Sequence, residues 1–223
     1  MLTPYDWQEG IGNRAQYIEG KMAQGAPVLA CSLDEGILVF TYRRQARKIY
    51  EIYDRLLFAG MGQQSDVEAM RVAALEFASR EGYNRSEEDV TIQRVATALS
   101  EPLKRAFSDF TSAPLVARSL FAEIGDTPAE DLYYVLDYDG NYSMSRHRAV
   151  VAGTDERAAA LLEKLTALEL NLSPDAAVEA MRESWTTGAE GEGLLEGLKP
   201  EAVLLERSTL RDNRFRLLFP EDF

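Results

Sequence analysis

Two apolar runs near the start of the chain predict a β-hairpin. Residues 27–33 and 37–42 are rich in β-branched and aromatic side chains, and the turn sequence Asp34-Glu35-Gly36 separates them. A basic stretch follows the hairpin. The apolar pattern then resumes and predicts a third strand over residues 48–60, which ends in a glycine-containing segment.

Apolar side chains also recur at helical spacing between residues 7 and 24. They lie at intervals of four, three and four residues, which places them on one face of a helix. These positions are Ile11, Ala15, Ile18 and Met22. Three glycines each weaken this helix by about 1 kcal/mol relative to alanine, so we expect packing against another part of the structure to hold it. Residues 1–6 are expected to form a short tail.

The rest of the chain alternates between helix pairs and sets of strands. A capping box at residues 65–68 predicts a helix that ends at Gly82. A second helix is predicted to open at residues 86–89 and to kink or break at Pro102. Two later helices are predicted to begin at Thr154 and Ser173.

The remaining apolar segments predict further strands. They cover residues 115–124, 132–138, 142–147, 149–152, 202–207 and 215–219. A loop rich in Gly and Glu spans 186–199, and residues 220–223 are expected to fray. Helix pairs inserted between antiparallel strands predict an α+β fold, in which two sheets pack face to face and each outer face carries a helix pair.

Composition narrows the function classes. The formal net charge is −13, and 46% of the residues are hydrophobic, so the chain is globular and lacks the basic surface that nucleic-acid binding requires. The acid excess fits either solubility or an acidic docking surface. No apolar run approaches the roughly 18 residues of a membrane span. The first residues do not resemble a secretory signal, and we expect a cytoplasmic protein.

Residue types that carry chemistry are scarce. The single Cys31 cannot form an internal disulfide, and one cysteine with one histidine argues against a closed zinc site. A Ser-His-Asp triad would depend on His147, which we expect to project from a strand. Phosphate-binding and dinucleotide-binding glycine motifs are absent, so no cofactor is predicted.

Several stretches together resemble the α-type subunit of the proteasome, in particular its actinobacterial form. They are residues 48–55 and 58–62, residues 82–90, Asp137-Tyr138-Asp139-Gly140 and residues 150–154. The likeness extends from about residue 4 to residue 219. The resemblance implies the four-layer αββα sandwich of the Ntn hydrolases, with an extra N-terminal helix. It divides the chain into an N-terminal tail and helix (1–24), the sandwich (25–219) and a C-terminal tail (220–223).

The resemblance also implies a non-catalytic role. In catalytic relatives the first strand begins with a threonine whose hydroxyl is the nucleophile and whose amine is the base. Here the aligned positions are Gly25-Ala26-Pro27. In those relatives an acidic residue on the second strand tunes the amine, and this chain has roughly Thr41-Tyr42 at that place. The family forms a heptameric α ring that caps rings of catalytic β subunits. We therefore expect a structural subunit of a protein-degrading complex.

The resemblance implies two functional regions. Converging cations can receive anions, and in the family a lysine that starts the third strand pairs with the C-terminal carboxylate of an activator or hexameric ATPase. Lys48 matches that lysine, Gly62 and Gln63 are expected in the same pocket, and Arg44 and Arg47 are expected to steer acidic tails. In the family the N-terminal tail closes the axial pore, and the corresponding gate residues here are Thr3, Pro4, Tyr5 and Asp6.

Two alternatives remain open. The chain could be an Ntn hydrolase with another nucleophile, such as Thr3 exposed by processing, or Cys31. Thr3 is a whole helix away from the first strand, and Cys31 is expected to be a buried small hydrophobic residue. The chain could also be a relative that forms a ring without separate β subunits.

Overall fold

The computed structural model describes residues 3–187, 195–210 and 213–219. Within these residues the helices are α1 (Pro4–Met22), α2 (Gln64–Asn84), α3 (Ile92–Ser108), α4 (Asp155–Thr166) and α5 (Pro174–Thr187). The strands are β1 (Val28–Ser32), β2 (Gly36–Arg43), β3 (Ile49–Tyr53), β4 (Leu56–Gly62), β5 (Ala117–Glu123), β6 (Leu132–Leu136), β7 (Tyr142–Ser145), β8 (Arg148–Val151), β9 (Lys199–Glu206) and β10 (Phe215–Leu217).

The strands form two five-stranded antiparallel sheets, in the orders β10-β9-β2-β1-β8 and β3-β4-β5-β6-β7. The inner faces of both sheets form one apolar core, which Ile18 and Met22 of α1 complete. Helices α4 and α5 cover the outer face of the first sheet, and α2 and α3 cover that of the second. The predicted αββα layering with an additional N-terminal helix is therefore confirmed.

The predicted third strand is wrong in extent. It is two strands, β3 and β4, which pair antiparallel around a turn at Asp54 and Arg55. The apolar pattern hid this turn because large hydrophobic residues flank it closely and neither Gly nor Pro marks it. Asp is one of the residues that turns accept.

The first helix begins earlier than the sequence pattern indicated. Thr3 is the N-cap of α1, and residues 4–6 of the predicted tail belong to the helix. The Asp6 amide donates to Thr3 Oγ1 (3.2 Å), and the Thr3 amide donates to Asp6 Oδ2 (2.8 Å). The hydrogen bonds that the Thr3 amide and the Thr3 hydroxyl donate to the Asp6 carboxylate lower the pKa of that carboxyl. The arrangement is a capping box, and it fixes the start of the helix.

The predicted boundaries of α2 are wrong. The N-cap is Gln63 without a side-chain cap, and Glu68 pairs with Arg71 instead of closing a capping box. The helix continues past Gly82 to Asn84. Gly82 is needed for close packing, because a Cβ atom there would lie 2.1 Å from the Tyr53 hydroxyl.

The start of α3 is also later than predicted. Residues 87–89 form a 3-10 turn, and α3 begins at Ile92, with the Thr91 hydroxyl accepting a hydrogen bond from the Arg94 amide (3.4 Å). The helix continues through Pro102, so the predicted break is absent.

The last predicted elements shift at their edges. Helix α5 extends to Thr187 and β9 begins at Lys199, inside the predicted loop of residues 186–199. The middle of that loop, residues 188–194, and the predicted C-terminal tail of residues 220–223 lie outside the described residues. The starts of α4 after Thr154 and of α5 after Ser173 agree with the prediction.

Candidate functional site

A cleft of about 1610 Å³ opens at the end of the sandwich where β1 begins. At this end the start of β1 is paired with the end of β2 and the end of β8. The second sheet contributes the start of β3 and the end of β4, and the residues that follow α1 and the first turn of α4 reach the same place. Lys48 and Gly62 both line the cleft.

The segment before β1 carries no nucleophile. Gly25-Ala26-Pro27 offers neither a hydroxyl nor a thiol, and the Gly25 amide donates to the carbonyl of Met22 (2.8 Å), which ties the segment to the end of α1. The backbone carbonyls of Ala26 and Pro27 both accept hydrogen bonds from side chains. The Ala26 carbonyl accepts a hydrogen bond from Lys48 Nζ (2.7 Å). The Pro27 carbonyl accepts one from the Thr41 hydroxyl (2.7 Å).

Lys48 is half-buried in the cleft. Burial lowers the pKa of its ammonium group to about 8, and the neighbouring Glu201 carboxylate opposes this shift. The side chain is therefore a cation that has lost much of its hydration. Its ammonium donates to a neutral carbonyl, that of Ala26, and can donate further hydrogen bonds to a carboxylate.

Glu201 organises the basic wall of the cleft. This buried carboxylate on β9 accepts hydrogen bonds from the backbone amides of Lys48 (2.9 Å) and Ile49 (3.3 Å). It also forms ion pairs with Arg43 (3.9 Å) and Arg47 (3.5 Å). Glu201 was not predicted as part of the site, because the closing strand was expected to begin one residue later, at residue 202. The sequence did offer one signal for Glu201, which is an acidic residue directly before four apolar strand residues.

The other predicted pocket residues differ in their surroundings. Arg44 is exposed at the rim, whereas Arg47 is held by Glu201 and lies over the rings of Tyr50 and Phe215. Gln63 is not one of the described residues that line the cleft. Its amide donates to the carbonyl of Val116 (2.7 Å).

Gly62 has a backbone conformation that favours glycine. Its φ is +138°, and a Cβ atom there would lie 2.1 Å from the Val116 carbonyl oxygen. The glycine therefore permits the close approach of β4 and β5 at the floor of the cleft.

The predicted gate residues lie away from this cleft. Thr3, Tyr5 and Asp6 are in the first turn of α1, at the opposite end of a helix of 19 residues. At ~1.5 Å per residue this helix is about 28 Å long. Tyr5 is 83% exposed. The structure thus separates the two predicted functional regions by the length of α1.

The alternative nucleophiles are poorly placed. Thr3 caps α1 at the end remote from β1. Cys31 is buried, and burial raises the pKa of its thiol to about 12, which suppresses the reactive thiolate. His147 is not on a strand as predicted. It occupies the turn between β7 and β8 with φ of 67°, beside Ser32 at the other end of β1.

No helix in the described part of the chain is long and apolar enough to cross a membrane. No group of three or more His, Cys, Asp or Glu side chains is arranged to hold a metal ion among those residues.

Comparisons with known proteins agree with the fold. The family model described as "Proteasome subunit" matches residues 22–195. The "Proteasome subunit alpha" of Jonesia denitrificans is 31% identical over 96% of this chain and 91% of its own length. The proteins of the same name from Streptomyces coelicolor and Thermobifida fusca are 28% and 30% identical, over 97% and 88% of this chain and 86% and 78% of their own lengths. The chain belongs to the proteasome subunit family, and its similarity is to the actinobacterial α-type subunits.

Proposed function

We propose that this chain is a non-catalytic α-ring subunit of a cytoplasmic proteasome core particle. In this proposal it assembles into a homo-heptameric ring, binds a ring of catalytic β subunits, controls the entry of unfolded substrates and docks the C-terminal tails of a hexameric ATPase or another activator. Hydrolysis of peptide bonds then takes place on the β subunits.

The observation that carries this proposal is the segment just before β1. It contains no nucleophile, and its carbonyls already accept hydrogen bonds from other residues. A catalytic subunit would need a free hydroxyl and a primary amine at this place. Here Ala26 is followed by Pro27, whose secondary amine would not supply that group, and the chain continues upstream into α1. The Lys48 ammonium is bound to the Ala26 carbonyl. The fold supports a scaffold for assembly and binding, without the groups that cleave an amide.

Tail docking is supported by the state of Lys48. A terminal carboxylate that reaches the ammonium would form a charge-assisted hydrogen bond with a partly dehydrated cation, worth about 1.5–3 kcal/mol. Arg44 at the rim adds positive charge on a chain whose net charge is −13. This local reversal of sign favours the approach of an acidic tail.

Gate formation is supported by the exposure of the first turn of α1. We propose that Thr3, Pro4, Tyr5 and Asp6 from several subunits meet at the axial opening. Because residues 4–6 are helical, the gate would consist of capped helix ends with exposed tyrosines.

The absence of catalysis is tested with the isolated chain and with the complete particle. An epoxyketone inhibitor directed at N-terminal threonines should label only the β subunit in the particle, as read by intact mass spectrometry. The mass of this chain should retain the N-terminal segment. Labelling of this chain, or loss of residues ahead of β1, would overturn the proposal. Native mass spectrometry of the two co-expressed chains tests the assembly.

Docking is tested by Lys48→Ala. We expect the variant to assemble normally and to lose most activator-stimulated degradation, because it lacks the ammonium that would bind the tail. Lys104→Ala, which removes an exposed lysine outside the cleft, is the matched control and should keep full stimulation. Stimulation that persists in Lys48→Ala would remove Lys48 from the docking site.

Gating is tested by deletion of residues 2–7. Basal hydrolysis of short peptides by the complete particle should rise several-fold. Tyr17→Ala alters another exposed tyrosine of the same helix and should leave basal hydrolysis unchanged. Equal basal rates for the deletion and the intact chain would argue against a gate at the start of α1.

A further inference from the structure

Arg157 is a cation of the cleft that differs from those on the opposite wall. It lies in the first turn of α4, lines the cleft and is half-buried. Its Nε and Nη2 atoms are buried, and among the described residues they have no hydrogen-bond acceptor. Burial lowers the pKa of its guanidinium group. Buried donors without acceptors are unfavourable, and a ligand that supplied acceptors would relieve this.

The acidic residues that line the cleft are Glu68, Glu156 and Glu196, and none of them accepts a hydrogen bond from the buried Nε or Nη2 of Arg157. The Glu201 carboxylate is shared by Arg43, Arg47 and the Lys48 amide on the opposite wall. Glu68 is bound to Arg71 through two hydrogen bonds of 2.6 and 2.8 Å. Glu201 and Glu68 are therefore already engaged with other cations.

Trp185 connects Arg157 to the segment before β1. The Arg157 guanidinium carbon lies 5.6 Å from the centre of the Trp185 ring. Trp185 is only 1% exposed, and its Nε1 donates to the Pro27 carbonyl (3.2 Å). Lys48 donates to the carbonyl of the preceding residue, Ala26. Lys48 and the Trp185 ring, over which Arg157 lies, are thus bound to adjacent peptide units in the segment before β1.

Two cations that line one cleft suit two anionic groups on one peptide. Successive residues of an extended peptide advance by about 3.4 Å, so a terminal carboxylate and a nearby acidic side chain can contact both walls of a cleft. The planar guanidinium binds a carboxylate through two parallel hydrogen bonds, a geometry that an ammonium group does not offer.

We infer that Arg157 is a second carboxylate-binding residue of this cleft, and that the cleft selects C-terminal peptides carrying Asp or Glu within a few residues of the terminal carboxylate. This inference rests on the proposed function for the terminal carboxylate at Lys48. It adds a specificity determinant that the proposed docking at Lys48 does not require.

The experiment measures binding of synthetic peptides to the full chain by fluorescence anisotropy. The probes are short alanine-based peptides that end in leucine and carry a neutral dye at the amino terminus. Each has Glu or Gln at one of the last four positions, and each is made with a terminal carboxylate and with a carboxamide. Wild type should bind at least one Glu peptide about tenfold more tightly than its Gln counterpart, which corresponds to ~1.4 kcal/mol.

Variants assign that preference. Arg157→Gln should bind the Glu and Gln peptides equally while still preferring the carboxylate over the carboxamide. Arg157→Lys keeps the charge without the planar fork and should retain only part of the preference. Arg105→Gln, at an exposed site outside the cleft, is the matched control and should behave as wild type. Unchanged thermal midpoints would show that each variant folds.

Two results would overturn the inference. One is equal binding of the Glu and Gln peptides by wild type at every position. The other is a Glu preference that survives in Arg157→Gln. Failure of the proposed function looks different, because the carboxylate and carboxamide peptides would then bind equally while the Glu preference persisted.

Discussion

The backbone and side chain of Lys48 are held by different partners. Its amide donates to Glu201 and its ammonium donates to the Ala26 carbonyl. The backbone is therefore fixed by a buried carboxylate, while the ammonium faces a neutral oxygen. Burial outweighs the attraction of Glu201 and lowers the pKa of the ammonium to about 8. A ligand carboxylate would have to bind the protonated form.

This pKa predicts a pH dependence of carboxylate binding. The affinity of the chain for a peptide with a free C-terminus should be constant below about pH 7.5. Above about pH 8 it should fall about tenfold per pH unit, because the neutral amine attracts a carboxylate only weakly. Anisotropy titrations between pH 6.5 and pH 9.5 measure the effect.

The control for this profile is Lys48→Arg. A guanidinium stays protonated throughout the range, so the profile of the variant should be flat. An equal fall in both proteins would assign the titration to another group.

The candidate site was only partly predictable from the sequence. The resemblance placed Lys48 in a pocket, because its neighbours in the sequence carry the likeness. Glu201 and Arg157 were missed, because each reaches the cleft from an element more than a hundred residues away. Arg47 was predicted as a rim charge, but the tertiary structure pairs it with Glu201.

At the scale of elements, α1 is anchored to its own subunit. The rings of Trp7 and Phe110 meet edge to face at 5.0 Å. Arg14 donates to the carbonyls of Ala106 (3.0 Å) and Ser112 (2.9 Å), and its guanidinium lies 5.6 Å from the Phe110 ring. The sequence analysis expected this glycine-containing helix to depend on packing. These contacts supply such packing for its first half within one chain.

Phe110→Ala is predicted to loosen the first half of α1. It removes the aromatic contact with Trp7 and the cation–π contact with Arg14, each worth about 0.5–1.5 kcal/mol. Hydrogen exchange of peptides from residues 4–14 should become faster, while peptides from β1 and β2 stay protected. Tyr83→Ala, at a residue that is exposed on α2, is the control. Unchanged exchange in Phe110→Ala would show that other contacts hold the helix.

Periodicity predicted the elements better than it predicted their ends. The apolar spacing indicated each helix pair and the alternation with strands, because burial on one face dictates that pattern. Capping residues were less reliable. Ser65 and Ser86 match a capping sequence, yet α2 begins after Gln63 and α3 begins after Thr91, whose hydroxyl caps it. The turn between β3 and β4 contains neither Gly nor Pro, and Asp54 alone did not reveal it.

At the scale of the whole molecule, the two ends of the sandwich are built differently. The cleft opens one end, and a network around Arg207 closes the other. Arg207 follows β9 in the first sheet and forms two hydrogen bonds, of 2.7 and 2.9 Å, with the Asp131 carboxylate, which precedes β6 in the second. It also donates to the carbonyls of Leu33 (3.0 Å) and Gly125 (2.7 Å). One side chain thus joins both sheets at the closed end.

This asymmetry predicts that stability and binding can be separated. Arg207→Met would leave Asp131, which is 0% exposed, without its counterion, and should cost about 3–5 kcal/mol in the free energy of unfolding. Adding Asp131→Asn should recover part of this loss, because the buried charge is then removed. Urea unfolding at constant pH measures both free energies of unfolding.

The control is Arg105→Met, which breaks only an exposed pair with Glu101 and should change stability by less than about 0.5 kcal/mol. Peptide binding at the cleft should be unaffected in every folded variant, and weakened binding in Arg207→Met would show that the closed end controls the open one.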